Sequence, residues 1–285
     1  MLRACARRSH ARESGLSYAF GDSPQAAERL ALVAQVFEGP SRTFWRSFAP
    51  AAPRLALDLG CGPGHTTLAL AQGVRAAHTV GVDSSADFLA AAERTQRPGV
   101  RFLRHDVTLI PFPLPAADLV VCRFLLSHLR EPTRVVASWA ELLAPAGRLL
   151  IEEVESIATD CPVFKRYLAL VAATLEGQGQ ELYVGPTLDR AGTPEGLERL
   201  CSRVVEHRVG TVDAARMFSM NLHALAQNSR ALAREGEHGL AELARELRSL
   251  GASPRSAFEN RWGLRQLAFQ RAAEADSNVT ARRLL

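Results

Sequence analysis

A turn with glycine at alternate positions, set between an apolar strand and a helix, constrains this chain more than any other feature. Leu55-Ala56-Leu57-Asp58-Leu59 reads as a buried strand. Gly60-Cys61-Gly62-Pro63-Gly64 reads as the turn, and Thr67-Leu68-Ala69-Leu70-Ala71 as a helix. Glycine at such a turn lets the backbone approach a ligand with no Cβ in the way. In an open parallel sheet this is where a nucleotide crevice forms, outside the carboxyl ends of the strands. The spacing is G-x-G-x-G and not the G-x-G-x-x-G of NAD- and FAD-binding chains, which sets a dehydrogenase far down the list of readings.

Strands and helices alternate around that turn. Apolar runs predict strands at 54–59, 78–83, 100–104, 118–122 and 148–154, with helices at 64–73, 85–96 and 131–143. Such alternation implies a parallel sheet covered on both faces, with right-handed crossovers. Residues 1–50 read as a tail and a mostly helical cap. The cap has a start signal at Gly21-Asp22-Ser23-Pro24 and helical spacing at Ala27, Leu30, Ala31, Ala34 and Phe37. Residues 51–155 form the expected core. Residues 156–202 read as a helical insertion over the crevice, with helices at 161–177 (Phe164, Tyr167, Leu168, Val171, Leu175) and 193–202. Residues 203–285 complete the sheet, with strands at 203–209 and 259–269 and helices at 213–228 and 236–250.

The 285 residues suffice for one large domain, or for one with an appended lobe. With 47% hydrophobic and 22% charged residues the composition is that of a soluble globular protein. No apolar run approaches the ~20 residues that span a bilayer. The net charge of +4 is not gathered into an internal stripe. Arg3, Arg7, Arg8, Arg12, Arg282 and Arg283 lie at the ends and read as solvated tails in preference to a nucleic-acid footprint or a transit peptide. Cys5, Cys61, Cys122, Cys161 and Cys201 are odd in number and widely spaced, without a zinc pattern. A reduced, cytoplasmic protein with no metal site is expected.

Asp58, Asp83 and Asp106 fall at or just beyond strand ends, where they line one crevice. Asp83 is placed to accept the two hydroxyls of a ribose, worth about 1.5–3 kcal/mol for each charged hydrogen bond. It also repels a 2′-phosphate. Taken singly, each acid also reads as a helix cap or turn residue, Asp106 equally so. Leu57-Asp58-Leu59-Gly60-Cys61-Gly62-Pro63-Gly64 resembles motif I of the class I S-adenosylmethionine (SAM)-dependent methyltransferases, and the likeness extends over about residues 52–154. It implies an α/β, Rossmann-like, seven-stranded doubly wound sheet, mostly parallel with the last strand antiparallel. It implies that Asp58 and the loop Gly60, Cys61, Gly62 and Gly64 serve the methionine part of the cofactor. Val82-Asp83-Ser84-Ser85 resembles motif II, which puts Asp83 and Ser84 at the ribose. By the same resemblance Asp106 meets the adenine amino group and the Val107 N–H the ring, and Cys122-Arg123 lies beside the methionine ammonium. Leu142-Leu143-Ala144-Pro145-Ala146-Gly147-Arg148-Leu149 resembles the L-x-P-G-G turn into strand five, with Ala146 in place of the first glycine. Tyr18 looks like the aromatic residue folded over the cofactor, and reads equally as a packing residue at a helix start. Arg29 reads as a solvated helix residue before it reads as a partner of the cofactor carboxylate.

The resemblance implies methyl transfer to O, N or C of a small organic acceptor, such as a secondary metabolite. Arg123-Phe124-Leu125-Leu126 stands where amino-methylating nucleic-acid enzymes carry Asn/Asp-Pro-Pro-Tyr/Phe, which turns the reading away from DNA bases. An RNA or protein methyltransferase, or a SAM-binding member of the fold that transfers no methyl group, are the alternatives. A neutral acceptor must lose a proton. His128 and Glu152 are the candidates put forward, with Glu153 and Glu155 beside them. His128 also reads as a structural hydrogen-bonding residue. Glu152 and Glu153 alternate across a strand, so only one faces the pocket. Phe164, Tyr167 and Tyr183 suggest a roofed, partly apolar pocket. The expected partner is the acceptor alone, without nucleic acid or membrane, in a chain for which a homodimer is the assembly considered.

Overall fold

A computed structural model describes residues 22–95, 97–226, 229–253 and 257–272. In chain order the elements are α1 (Pro24–Phe48), β1 (Leu55–Leu59), α2 (His65–Val74), β2 (His78–Asp83), α3 (Ala86–Glu93), β3 (Val100–Arg104), β4 (Ala117–Arg123), α4 (Pro132–Ser138), β5 (Leu143–Thr159), α5 (Pro162–Glu176), α6 (Gly185–Arg190), β6 (Leu197–Arg208), α7 (Thr211–Leu225), α8 (Ser229–Ala252) and β7 (Asn260–Arg271). Short 3-10 turns cover Leu126–His128 and Trp139–Leu142. One seven-stranded sheet runs β3-β2-β1-β4-β5-β7-β6. Its first five strands are parallel, and β7 lies antiparallel between β5 and β6.

Successive residues of the central strands bury opposite faces. Ala56, Leu119, Val121 and Leu150 face α1 and α2, where they meet Phe44, Trp45, Leu70 and Val74. Leu57, Leu59, Val120, Cys122, Leu149 and Ile151 face the other way, onto Val135, Val136, Trp139 and Leu142. Parallel strands buried on both sides need this run of apolar residues, which is why the sequence predicts them closely. A third cluster joins Phe164, Tyr167, Val171, Phe218, Leu222, Leu243 and Trp262, and holds α5, α7 and α8 together beyond the sheet.

The N-terminal helix is anchored by a residue that would ordinarily break it. Pro40 lies inside α1 and has no N–H to give the Val36 carbonyl. That carbonyl takes a hydrogen bond from His207 Nε2 on β6, at 2.9 Å. At its start Ser23 caps the helix, its hydroxyl accepting from the Ala26 N–H at 3.3 Å.

The structure differs from the sequence reading after residue 190. No helix forms at 193–202. Residues 197–202 begin β6, which is longer than the strand expected at 203–209, and the short α6 precedes it. Leu197, Leu200 and Cys201 have helical spacing, but β7 offers them a ladder, with pairs such as Cys201–Ala268 and Ser202–Leu267. Tyr18, Cys5 and the arginine-rich termini lie outside the described residues. Among the described residues, no helix is long and apolar enough to cross a membrane.

The turn at the end of β1 packs directly on β2. A Cβ on Gly81 would lie 2.7 Å from Thr67 Oγ1, 2.8 Å from the Phe102 ring and 2.9 Å from Cys61 Sγ. Gly81→Ala is therefore expected to destabilise the fold by about 1–3 kcal/mol through overpacking, read as a lower urea midpoint. An unchanged midpoint would show that these three neighbours yield freely.

Candidate active site

The carboxyl ends of β1, β2 and β4 open into a cavity of about 380 Å³. Its floor is the turn after β1, where Gly60, Gly62 and Gly64 have φ of 71°, 52° and 85°. Only glycine takes these values without strain. The turn is fastened to β2 by the N–H groups of Gly60 and Cys61, which both donate to the Val82 carbonyl, at 2.8 and 3.0 Å. Gly60, Cys61 and Gly62 line the cavity. Gly64 does not: a Cβ there would meet the Phe102 ring at 2.8 Å, so this glycine serves packing.

Asp83 stands at the rim. Its carboxylate accepts from Gly62 N at 2.8 Å and from Ser85 N at 2.9 Å. Burial pushes its pKa up, while these N–H groups pull it back. Ser84, Asp22 and Phe88 lie beside it, and Asp106 and Val107 close the same end. Asp106 Oδ1 accepts from Thr108 N and Thr108 Oγ1, at 2.9 and 2.7 Å, so it is a turn residue and a cavity residue together. Val107 is locked by its carbonyl, which accepts from Trp139 Nε1 at 2.9 Å. A bare peptide floor, an acidic rim and the apolar Phe88 and Val107 fit the cationic nucleoside SAM. They do not suit a diphosphate, whose charge the three acids would repel.

An ionic layer lies behind the other end. Arg123, at the end of β4, lines the cavity. Its guanidinium donates to Thr66 Oγ1 at 2.7 Å and to Ser41 Oγ at 3.2 Å. Burial pushes its pKa down, and the Glu152 and Asp58 carboxylates oppose that. Sequence reading missed this joint role of Thr66 and Ser41, although two threonines directly after the glycine turn were the visible signal.

Several expected site residues fall in this layer and not on the cavity. Asp58 is 1% exposed and accepts from Thr67 Oγ1 at 2.7 Å; burial raises its pKa to about 7. Glu152 is also 1% exposed. It shares a hydrogen bond with Ser41 Oγ and accepts from Gln266 Nε2 at 2.6 Å. The Ser41 hydroxyl has one proton and also faces the Phe37 carbonyl, at 2.9 Å, so it serves one acceptor at a time. Glu152 is thus a counter-ion of Arg123 and does not reach a substrate as a base. Cys122 does not line the cavity either: its thiol lies 4.0 Å from Glu153 Oε1 on the opposite face of the sheet. The place expected for the methionine ammonium holds the Arg123 guanidinium, so this side chain suits the carboxylate half of that group.

Leu30 and Val33 of α1, with Phe124, Leu125, His128 and Leu129, form the remaining wall. His128 reaches the cavity as expected, but burial first and Arg29 second push its pKa down to about 3. Its ring is neutral near pH 7 and too weak a base to match the task of proton removal there. The His128 carbonyl accepts from Gln180 Nε2 at 2.5 Å. Glu155 is taken up by Arg265, at 2.7 and 2.8 Å. Arg29 is 4% exposed and donates to Asn221 Oδ1, so it is not a solvated helix residue. Phe164 and Tyr167 pack against Phe218, and Phe88 and Phe124 are the aromatic residues at the cavity. Among the described residues no group of side chains could hold a metal ion.

The family model described as a methyltransferase domain matches residues 56–147. A trans-aconitate 2-methyltransferase of Methylobacterium radiotolerans is 35% identical over 107 residues, covering 38% of this chain and 40% of that protein. This chain thus spans well under half the length of that curated relative. Two solved structures share the fold over most of the chain. A phosphoethanolamine N-methyltransferase of Haemonchus contortus, in complex with phosphomonomethylethanolamine and S-adenosylhomocysteine, has a TM-score of 0.52 and 16% identity, covering 90% of this chain and 60% of that one. The [4+2]-cyclase SpnF has a TM-score of 0.51 and 19% identity, covering 84% and 82%. At these identities the likeness is one of fold, which by itself does not set the reaction.

The raised pKa of Asp58 carries a sign. The folded state holds the proton more tightly than the unfolded chain, so this stabilisation is complete below about pH 4 and is lost as pH rises through about 7. In Asp58→Asn that loss is absent. The unfolding free energy of the variant minus that of the wild type should grow between about pH 4 and 7, by on the order of a few kcal/mol, and then level off. Urea titrations across that range measure it; parallel curves would mean that Asp58 is not desolvated as the geometry requires.

Proposed function

We propose that this chain, whose residues 56–147 match the methyltransferase-domain family model, is a class I SAM-dependent enzyme that moves the methyl group of SAM to O, N or C of a small organic acceptor. The carrying observation is the glycine floor with Asp83 at its rim, inside a cavity of about 380 Å³. That volume lies in the range of small-ligand pockets. The trans-aconitate 2-methyltransferase relative supports a small organic acceptor. We place the protein in the cytoplasm and in secondary metabolism; Cys61, Cys122, Cys161 and Cys201 are free thiols, which agrees with a reducing compartment.

When bound, SAM supplies an electrophilic methyl carbon on a positively charged sulfur. The chain's own residues do the rest by holding and orienting. Asp83 accepts the ribose hydroxyls, with Ser84 beside it. Asp106 and the Val107 N–H would hold the adenine, with Phe88 on the same cavity. Arg123 and Thr66 hold the methionine carboxylate. Phe124, Leu125 and His128, which line the rest of the cavity, would then be left to receive the acceptor. Alignment of acceptor, methyl carbon and leaving sulfur supplies the rate, for which positioning contributes up to about 7–11 kcal/mol. His128 orients the acceptor as a neutral hydrogen-bonding ring. A weak base at that place suits an acceptor atom that is already nucleophilic.

Calorimetry with SAM and S-adenosylhomocysteine should show binding of both. Asp83→Ala should weaken it roughly 10- to 100-fold, the worth of one or two charged hydrogen bonds. Unchanged affinity in that variant would remove Asp83 from the ribose. Methyl-labelled SAM incubated with cell extract should pass label to small molecules. Label held in a polymer that ribonuclease or protease digests would replace the small-molecule reading with a macromolecular one.

A further inference from the structure

Two consecutive acids on β5 point to opposite faces of the sheet, and Glu152 lies in the field of Arg123. Glu153 is 0% exposed, on the face away from Arg123. Its Oε1 accepts from the N–H groups of Leu125 and Leu126, at 2.7 Å each. Its Oε2 has no hydrogen-bond partner among the described residues. The titratable groups around it are the Cys122 thiol on β4, Glu152 on its own strand and His128 at the end of the turn it holds. Arg265 is opposite it in the β5–β7 register but gives its guanidinium to Glu155. An apolar side chain would fill such a place at less expense, so the carboxyl calls for a reason.

The reason lies in what it holds. Phe124 has φ of 54°, a left-handed backbone that a phenylalanine keeps only when its surroundings impose it. Its N–H donates to the Glu152 carbonyl at 3.0 Å, and the next two N–H groups go to Glu153. The side chains so displayed are Phe124 and Leu125, both on the cavity. Phe124 meets Phe37 edge-on at 5.0 Å. Leu125 lies on the glycine floor: a Cβ on Gly60 would be 2.8 Å from its methyl groups. The turn therefore joins the acceptor wall to the cofactor floor, and Glu153 is the group that clamps its backbone.

We infer that Glu153 is a positioning residue for methyl transfer, whose buried carboxyl sets the Phe124–Leu126 turn and, through it, the fit around the cofactor's methyl end. This rests on the methyltransferase reading above. Burial pushes its pKa up to about 8, against the pull of the turn's N–H groups. Below that pH the group is mostly protonated and Oε1 accepts as a neutral carboxyl oxygen. Above it the carboxylate grips the same N–H groups more strongly. A merely structural acid would not alter how the site distinguishes SAM from S-adenosylhomocysteine, which differ by the methyl group at this wall.

The test compares wild type, Glu153→Gln and Glu153→Leu in calorimetry with SAM and S-adenosylhomocysteine, from about pH 6 to about pH 10. In the wild type the ratio of the two affinities should change by roughly threefold or more as pH crosses the Glu153 titration. Glu153→Gln keeps an acceptor oxygen, so it should match the wild type at low pH and lose the step. Glu153→Leu leaves two buried N–H groups unpaired and should shift the ratio about tenfold at every pH, with faster amide exchange at Leu125 and Leu126. A pH step in Glu153→Gln as large as that of the wild type, beyond what Asp58 adds near pH 7, or affinities for both ligands falling together in Glu153→Leu, would overturn the inference. If Glu153→Leu does not fold, the comparison of wild type with Glu153→Gln decides it. A wild type that binds neither ligand would count against the methyltransferase reading instead. The clamp is then read without ligand, from amide exchange at Leu125 and Leu126: a pH step present in wild type and absent in Glu153→Gln supports it, and identical exchange in the two overturns it.

Discussion

The half-buried charge of Arg123 is what the carboxyl end of the sheet is arranged around. A guanidinium drawn out of water is costly unless paired and hydrogen-bonded. Glu152 on the neighbouring strand and Asp58 on β1 supply the opposite charge, and Thr66 and Ser41 supply the hydrogen bonds. These partners come from β1, β5, α1 and α2. The cation therefore joins the glycine turn's helix, the sheet and the N-terminal cap at one point. The floor of the cavity is held in place from below by that layer and from the side by β2.

Alternation along β5 divides the labour. Glu152 faces α1 and α2 and lies in the field of Arg123. Glu153, one residue on, accepts from the N–H groups of Leu125 and Leu126, while Arg265 opposite it is taken up by Glu155. The same residue type therefore plays two parts: a counter-ion for Arg123 and a backbone clamp for the turn after β4. The face of the sheet decides which, because a strand turns successive side chains to opposite sides.

The chemistry of the wall follows from burial. His128 is driven to the neutral form by desolvation. Glu152 and Glu155 are consumed by Arg123, Gln266 and Arg265. What remains at the wall of Phe124, Leu125 and His128 is apolar surface and a neutral imidazole, with the Arg123 cation on the same cavity. Such a surface would orient a nucleophile well and remove a proton poorly, which supports the proposal of an acceptor that is already nucleophilic.

From the sequence alone, the glycine turn, the first five strands and the acids at Asp83 and Asp106 were readable. Each is a local signal: bare residues where backbone must approach a ligand, apolar runs where both faces are buried, an acid at a strand end. The insertion was misread at 193–202, because Leu197, Leu200 and Cys201 fit a helix and only the distant β7 makes them a strand. Which acids reach the cavity was decided by tertiary structure. Asp58 and Glu152 turn inward to a cation that belongs to another strand, and Glu153 turns away to a backbone it meets only once β4 and β5 are paired. A chain's pattern sets what its segments can form, since burial and backbone preference act locally. The partner of a buried charge lies far along the chain, and so the fold alone assigns it.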